Sequence, residues 1–145
     1  INRLFRVKDN SKIDKDYKID ENIETDSFEL FRRYIIDNLD KLEAGLYFSG
    51  RENYVYHLDK DTLFCKDKSG NNVIVGIYDG ILDIEVISRI LEKLALAQEK
   101  VNTVDVRYFV VSRGIDDKAK SIIRMLSNIK FFKINISFNI EEIES

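Results

Sequence analysis

The sequence predicts an α/β domain with a mixed sheet of about five strands flanked by helices, and three observations predict it. Two short apolar runs, 62–65 and 73–78, are rich in β-branched and aromatic residues. The spacer between them, Lys66-Asp67-Lys68-Ser69-Gly70-Asn71-Asn72, supplies the glycine and asparagine that turns need, so the pair reads as an antiparallel hairpin. A nearly continuous apolar run over 104–111 has the pattern of a central strand covered on both faces. Segments of helical period precede the hairpin and follow each of these runs, giving the order α, β, β, β, α, β, α, β.

Taken in order, residues 1–7 hold Leu4, Phe5 and Val7, enough for a short strand or an anchoring segment. From 8 to 26 the chain turns to Lys, Asp, Glu and Asn, which reads as a linker or loosely packed arm, so 1–26 is set apart from a domain over 27–145. Asp26 and Glu29 have capping-box spacing, and Phe28, Phe31, Ile35, Leu39 and Leu42 recur at helical intervals, predicting a helix over 27–43. Residues 54–58 read as a strand leading into the hairpin. His57 is the only histidine and has no second His or Cys beside it, so a structural role is expected.

After Gly80, Asp83 is placed to cap a helix whose Ile84, Ile87, Leu91 and Leu94 form one stripe, widened by Val86, Ile90 and Ala97. Residues 112–115 turn the chain, and Asp116 caps a third helix expected to run through Asn128 with Ile122, Ile123, Met125 and Leu126. The last strand alternates Phe132, Ile134, Ile136 and Phe138 against Lys133, Asn135 and Ser137, the pattern of an edge strand with one wet face.

The 145 residues are 44% hydrophobic, which suits about one domain with a core of its own. Neither a transmembrane run nor a signal peptide is visible, and the chain opens on Ile1 rather than Met, so a piece of a longer protein is expected. A single cysteine, Cys65, excludes an internal disulfide and a multi-cysteine zinc site, which favours a reducing, cytoplasmic setting. Net charge is −3, so the surface as a whole lacks the positive field of a protein that coats nucleic acid, though a local basic groove remains open.

The wording of the hairpin closely resembles the NucS-type endonucleases, a branch of the PD-(D/E)XK superfamily. Members typically carry a Gly-Arg-Ile-Asp-Leu-Leu-Cys strand, a Lys-Asp-Lys-Asp-Gly-Asn turn and a Val-Val-Ile-Glu-Leu-Lys strand. Leu63-Phe64-Cys65-Lys66-Asp67-Lys68 and Gly70-Asn71 match well, and Leu42-Glu43, Gly50-Arg51-Glu52 and the Ile115-Asp116-Asp117 corner extend the likeness over roughly 27–138. The resemblance implies a PD-(D/E)XK, restriction-endonuclease-like core and a link to DNA repair. It also implies that a separate N-terminal DNA-binding and dimerisation domain precedes the nuclease domain.

The reacting positions do not match. The family's first-strand metal-binding Asp falls on Thr62, its second-strand Glu on Gly76, its catalytic Lys on Tyr78, and a glutamine of the next helix on Arg89. Such chemistry needs carboxylates from adjacent strands to hold Mg²⁺ and a Lys at the attacking water. Glycine offers no side-chain oxygen, and tyrosine is neutral at pH 7.

The first expectation is therefore a catalytically inactive nuclease-like domain, without metal or cofactor, that serves as an assembly module. It would dock a protein partner or a second copy as a homodimer, or bind nucleic acid weakly through Arg32, Arg33, Arg113, Lys118, Lys120 and Arg124. Taken alone, Arg32 and Arg33 read as a solvated helix face ahead of phosphate contacts. The alternative is a Mg²⁺-dependent endonuclease with migrated ligands, for which Asp61 and Asp79 are the candidates. Strand parity opposes it, since Asp61 would point away from Thr62, and the second strand carries no Lys.

Overall fold

In the computed structural model, described here for residues 22–102, 105–135 and 142–143, five strands form one mixed sheet. They are β1 (Tyr47–Phe48), β2 (Thr62–Lys66), β3 (Asn72–Ile77), β5 (Val106–Ser112) and β7 (Ile129–Lys133), in the order β1-β2-β3-β5-β7. The first three are antiparallel in succession, whereas β3, β5 and β7 run parallel. The two parallel steps need crossovers, and helices α3 (Ile84–Val101) and α4 (Asp117–Ile123) supply them. A small parallel pair, β4 (Ile81–Leu82) with β6 (Gly114–Ile115), ties the entrances of those two helices together. The expected α/β class, mixed sheet and strand number are all present.

The hairpin forms as its sequence predicts, and its register sets Thr62 opposite Gly76 and Lys66 opposite Asn72. Its turn is built on Asp67, whose Oδ1 accepts from the amides of Ser69 (2.9 Å) and Asn71 (2.8 Å), while Gly70 takes φ +86°. Glycine reaches that region without the Cβ clash that other residues meet. The central run also behaves as expected: Phe109, Val110 and Val111 of β5 are buried between β3 and β7. Both predicted caps are made, Asp83 accepting from Val86 N and Asp116 from Ala119 N, each at 2.8 Å.

One face of the sheet presents Phe64, Ile74 and Val110 to α3, which answers with Val86, Ile87, Ile90, Leu94 and Ala97. Helix α3 buries this stripe down to Val101, but Ile84 in its first turn is exposed. The opposite parity of β2, β3 and β5 holds Leu63, Cys65, Val73, Val75 and Phe109, all essentially without solvent contact. Both sides of the hairpin are therefore dry.

Four expected boundaries move. Residues 54–58 are not a strand: Gly50–Val55 is a helix, α2, and Tyr54 and Val55 are exposed. Local and tertiary polar bonds override the alternating pattern there. Ser49 Oγ donates to Glu52 Oε1 (2.8 Å), and the buried Asn53 Oδ1 accepts from Phe64 N (2.7 Å). Tyr47 and Phe48 take the outer edge of β2 instead. The first helix, α1, spans Asn22–Asp37, so Asp26 lies within it rather than at its cap; no glycine or proline breaks 22–26. It stops short of Glu43 because the chain tightens into a 3-10 turn at Leu39–Lys41.

Helix α4 ends at Ile123 rather than Asn128, since Ile129 is drawn into parallel pairing with Tyr108. The last strand begins correspondingly early and is an edge strand, as expected, while Ile136, Ser137 and Phe138 fall outside the described residues, as do Leu4, Phe5 and Val7. By contact the chain divides into two units, Ile1–Ile35 and Ile36–Ser145. Within the first, α1 buries Phe31 and Ile35 and sets Phe28 against Phe31 at 6.5 Å.

Asn53 is the buried polar residue on which the α2 to β2 joint depends. Replacing it with Ala leaves the fully buried Phe64 amide without an acceptor and should destabilise the fold by about 1–3 kcal/mol, read from the denaturant midpoint.

Candidate nuclease-like site

Thr62, Gly76 and Tyr78, the positions singled out by the resemblance, lie near one another along β2 and β3. Thr62 and Gly76 face each other across β2 and β3, and Tyr78 follows one residue after β3 ends, its amide donating to Val111 O (2.9 Å). Shared parity puts Thr62 and Gly76 on the α3 side with Phe64 and Ile74. The surroundings are apolar at Gly76 and polar beside Thr62, whose hydroxyl meets the part-exposed Asp61 carboxylate. Thr62 is 3% exposed, and a Cβ built on Gly76 would meet Ile90 Cγ2 and Leu94 Cδ2, each at 3.5 Å. A methyl fits in ordinary contact, and a longer side chain would have the two aliphatic residues of α3 as its neighbours. The Tyr78 ring lies against Gly80, so close that a Cβ there would stand 2.8 Å from Cε2.

Tested as a place for a divalent cation, this set does not fit. It offers one hydroxyl and no carboxylate, and hard cations take several oxygen ligands. Among the described residues no group of three or more His, Cys, Asp and Glu side chains converges. The two alternative ligands each face a cation instead. Against the parity expectation Asp61 does not point away from Thr62, because it lies just before β2 begins: it pairs with Lys93 of α3, with Thr62 Oγ1 3.4 Å from its other oxygen, while Asp79 pairs with Arg113.

Lys93 carries no signal in the sequence, because its partner lies 32 residues away on another element. One face of α3 sets Lys93 and Lys100 two turns apart, and Lys100 Nζ donates to His57 O (2.9 Å). Together they pin the connector between α2 and β2, where His57 takes φ 56°. Arg89, one turn before Lys93, is exposed on α3, and no described hydrogen bond or ion pair joins it to Thr62, Gly76 or Tyr78.

The basic candidates fall in two places. Arg32 and Arg33 lie on α1. Arg113, Lys118, Lys120 and Arg124 gather at the β5–β6 corner and along α4, with Lys120 3.5 Å from Asp117 and Arg113 already held by Asp79.

A second polar cluster, missed from the sequence, holds the turn end of the hairpin. Arg107 at the start of β5 donates to both oxygens of Glu43, NH1 to Oε1 (2.7 Å) and NH2 to Oε2 (2.6 Å), and NH2 also reaches Asp67 Oδ2 (3.1 Å). The fork geometry of a guanidinium suits such bidentate pairing. Arg107 holds the Glu43 carboxyl below its ordinary range. The Asn71 amide, with those of Ser69 and the Arg107 charge, does the same for Asp67. At Gly45 (φ +87°) the loop after the 3-10 turn passes so close to the hairpin that an added Cβ would lie 2.6 Å from Lys68 Cβ. Cys65 is buried, and burial alone pushes its thiol up to about 12.

These features define the class of the fold, a mixed five-stranded α/β sheet flanked by helices in the restriction-endonuclease-like manner. No protein-family model and no curated protein sequence matches the chain. Among solved structures it is similar to a repair endonuclease from Pyrococcus abyssi, at 22% identity and a TM-score of 0.54 over 83% of this chain and 49% of that one. It is also similar to EndoMS in complex with dsDNA (16% identity, TM-score 0.57, 89% of this chain and 51% of that one). EndoMS in its apo form gives 16% identity and a TM-score of 0.53 over 86% and 49%. The chain thus spans about half the length of the structures it matches, and what it shares with them is the fold.

Two outcomes follow from this geometry. Gly76→Ala should leave stability nearly unchanged, whereas Gly76→Glu, which drives a carboxylate between Ile90 and Leu94, should cost about 3 kcal/mol or more in a denaturant titration. The Arg107 cluster makes a pH-dependent contribution. Because Glu43 and Asp67 titrate lower when folded, their stabilisation is present above the ordinary carboxylate pKa of about 4 and is lost as pH falls through the lower folded values. The stability gap between the native chain and Arg107→Met should therefore narrow on acidification from neutral pH into that window.

Proposed function

We infer that this chain is a catalytically inactive nuclease-like domain that acts by binding, as a protein-interaction or nucleic-acid-associated assembly module. The observation that carries this reading is the closed environment of the reacting positions: Thr62 is buried, and the open side of Gly76 is filled by Ile90 and Leu94. Nucleophilic attack on a phosphodiester needs a cation and a water at the scissile group, and the aliphatic contact at Gly76 supplies no ligand for either. Asp61 and Asp79, the carboxylates a migrated site would use, are neutralised by Lys93 and Arg113, which speaks against the Mg²⁺-dependent alternative.

The binding partner on this reading is a protein or a second copy first, and nucleic acid second. An EndoMS structure holds double-stranded DNA, which supports nucleic-acid contact by the same fold. The acidic balance of this chain argues for weak contact only. A buried Cys65 with no second cysteine suits a reducing, cytoplasmic setting. Among the described residues no helix is long and apolar enough to cross a membrane.

The test is incubation of labelled single-stranded, flap and mismatched DNA with Mg²⁺ or Mn²⁺, beside a Thr62→Asp, Gly76→Glu, Tyr78→Lys variant. Neither protein should cut, the variant because α3 fills the space its new carboxylate would need. Cleavage by the unaltered chain that is lost on changing Asp61 or Asp79 would establish a working, relocated site. DNA binding should be weak and fall steeply with salt, and nanomolar affinity at physiological salt would contradict the reading.

A further inference from the structure

The apolar face of α3 is broader than the core absorbs. On one flank of the helix Lys93 and Lys100 hold the connector between α2 and β2. On the opposite flank Ile84, Ser88, Leu91, Ala95 and Gln98 follow one another in alternating steps of four and three residues, the spacing of a seam against which a second helix packs. The core takes up only the middle of this strip. Leu91 is partly buried at the edge of the cluster that Ile123 and Leu126 also border, whereas Ile84 is 49% exposed and Ser88 and Ala95 are exposed.

Beside the strip, on its solvent side, stand Glu85, Glu92 and Glu99, each one residue on from Ile84, Leu91 and Gln98. All three are exposed, and among the described residues none has an ion-pair partner. Arg89 lies beyond them, on the side away from the strip. At a rise of about 1.5 Å per residue the carboxylates are roughly 10 Å apart along the helix, too far to converge on one cation. They form a line of charge about 20 Å long that runs parallel to an apolar seam.

This combination selects its occupant. Nucleic acid would meet like charge along the whole line. A second copy packed antiparallel through the same seam would set the carboxylates of one α3 against those of the other. An extended segment repeats every two residues and loses step with a seven-residue spacing. A helix keeps step: its apolar residues seat on Ile84 and Leu91, Ser88 and Ala95 let its backbone come close, and cations at seven-residue intervals meet the three carboxylates.

We propose that the outer flank of α3 is the docking surface for an amphipathic, basic helix of a partner protein, with the apolar side of that helix on Ile84, Ser88, Leu91 and Ala95 and its cations facing Glu85, Glu92 and Glu99. The proposal rests on the reading that the chain acts by binding, but a cleavage assay that overturned that reading would leave the peptide result below unchanged.

The probe is a dye-labelled designed peptide of about three heptads, with Leu along its seam and Lys along the facing line, followed by fluorescence anisotropy with the full chain. Beside it are run the same peptide with Pro at its centre, which breaks the helix, and a short DNA duplex. Saturable binding of the unbroken peptide is expected, weakened about tenfold or more by Glu92→Lys, by Ile84→Ser and by the central Pro. Asp59→Lys makes the same change in net charge on the connector at the opposite flank, and should alter the affinity by less than about threefold. All three substitutions fall on exposed side chains, and circular dichroism checks that each variant is folded. Four results would overturn the proposal: no saturable binding, equal binding of the Pro-containing peptide, a loss with Asp59→Lys as large as that with Glu92→Lys, or tighter binding of the duplex.

Discussion

The fold depends on the two-sided burial of one hairpin. Leu63 and Cys65 alternate with Phe64 along β2, Val73 and Val75 with Ile74 along β3, and none of the six retains solvent contact. A strand pair dry on both faces tolerates little but aliphatic and aromatic side chains, and any polar group placed in it needs a partner. Thr62 and Gly76 stand in that pair, under Ile90 and Leu94 of α3. Their small size and low polarity follow from the environment. A metal-binding carboxylate would require the helix to stand off from the sheet, and here it packs down.

The likeness to NucS-type sequences acquires a physical meaning from the same geometry. The matching residues belong to the scaffold. Glu43 and Asp67 share Arg107, Asp67 organises the turn through Ser69 and Asn71, and Glu52 accepts from Ser49 and lies 3.7 Å from Lys66. These contacts hold the turn end of the hairpin to the loop before β1 and to the start of β5. The departures lie at the other end, beside α3. The proposed loss of chemistry is compatible with keeping the polar bonds that assemble the fold, because the two sets of residues sit at opposite ends of one hairpin.

Much of this was legible in the sequence. The hairpin followed from two β-branched runs and a turn rich in Gly and Asn, and both helix caps from single Asp residues ahead of apolar stripes. The central position of β5 followed from its unbroken apolar run. Elements set by tertiary bonds were not legible. Helix α2 exists because Asn53 serves Phe64, eleven residues on, and β1 is only two residues long. The pairing of Thr62 with Gly76 and their burial were not read from the sequence, since Ile90 and Leu94 carry no mark of the residue they cover. Lys93 and Arg107 were missed because each meets partners 32 or more residues away.

The central claim is that the space between β2, β3 and α3 no longer holds a divalent cation. A Mn²⁺ titration of the chain, with the free ion followed by electron paramagnetic resonance, tests it without recourse to any substrate. The account predicts no saturable site, with binding that rises in proportion to added ion and is indifferent to Asp61→Asn. A single saturable site that disappears in Asp61→Asn would contradict it, and would mean that Lys93 yields its partner to the metal.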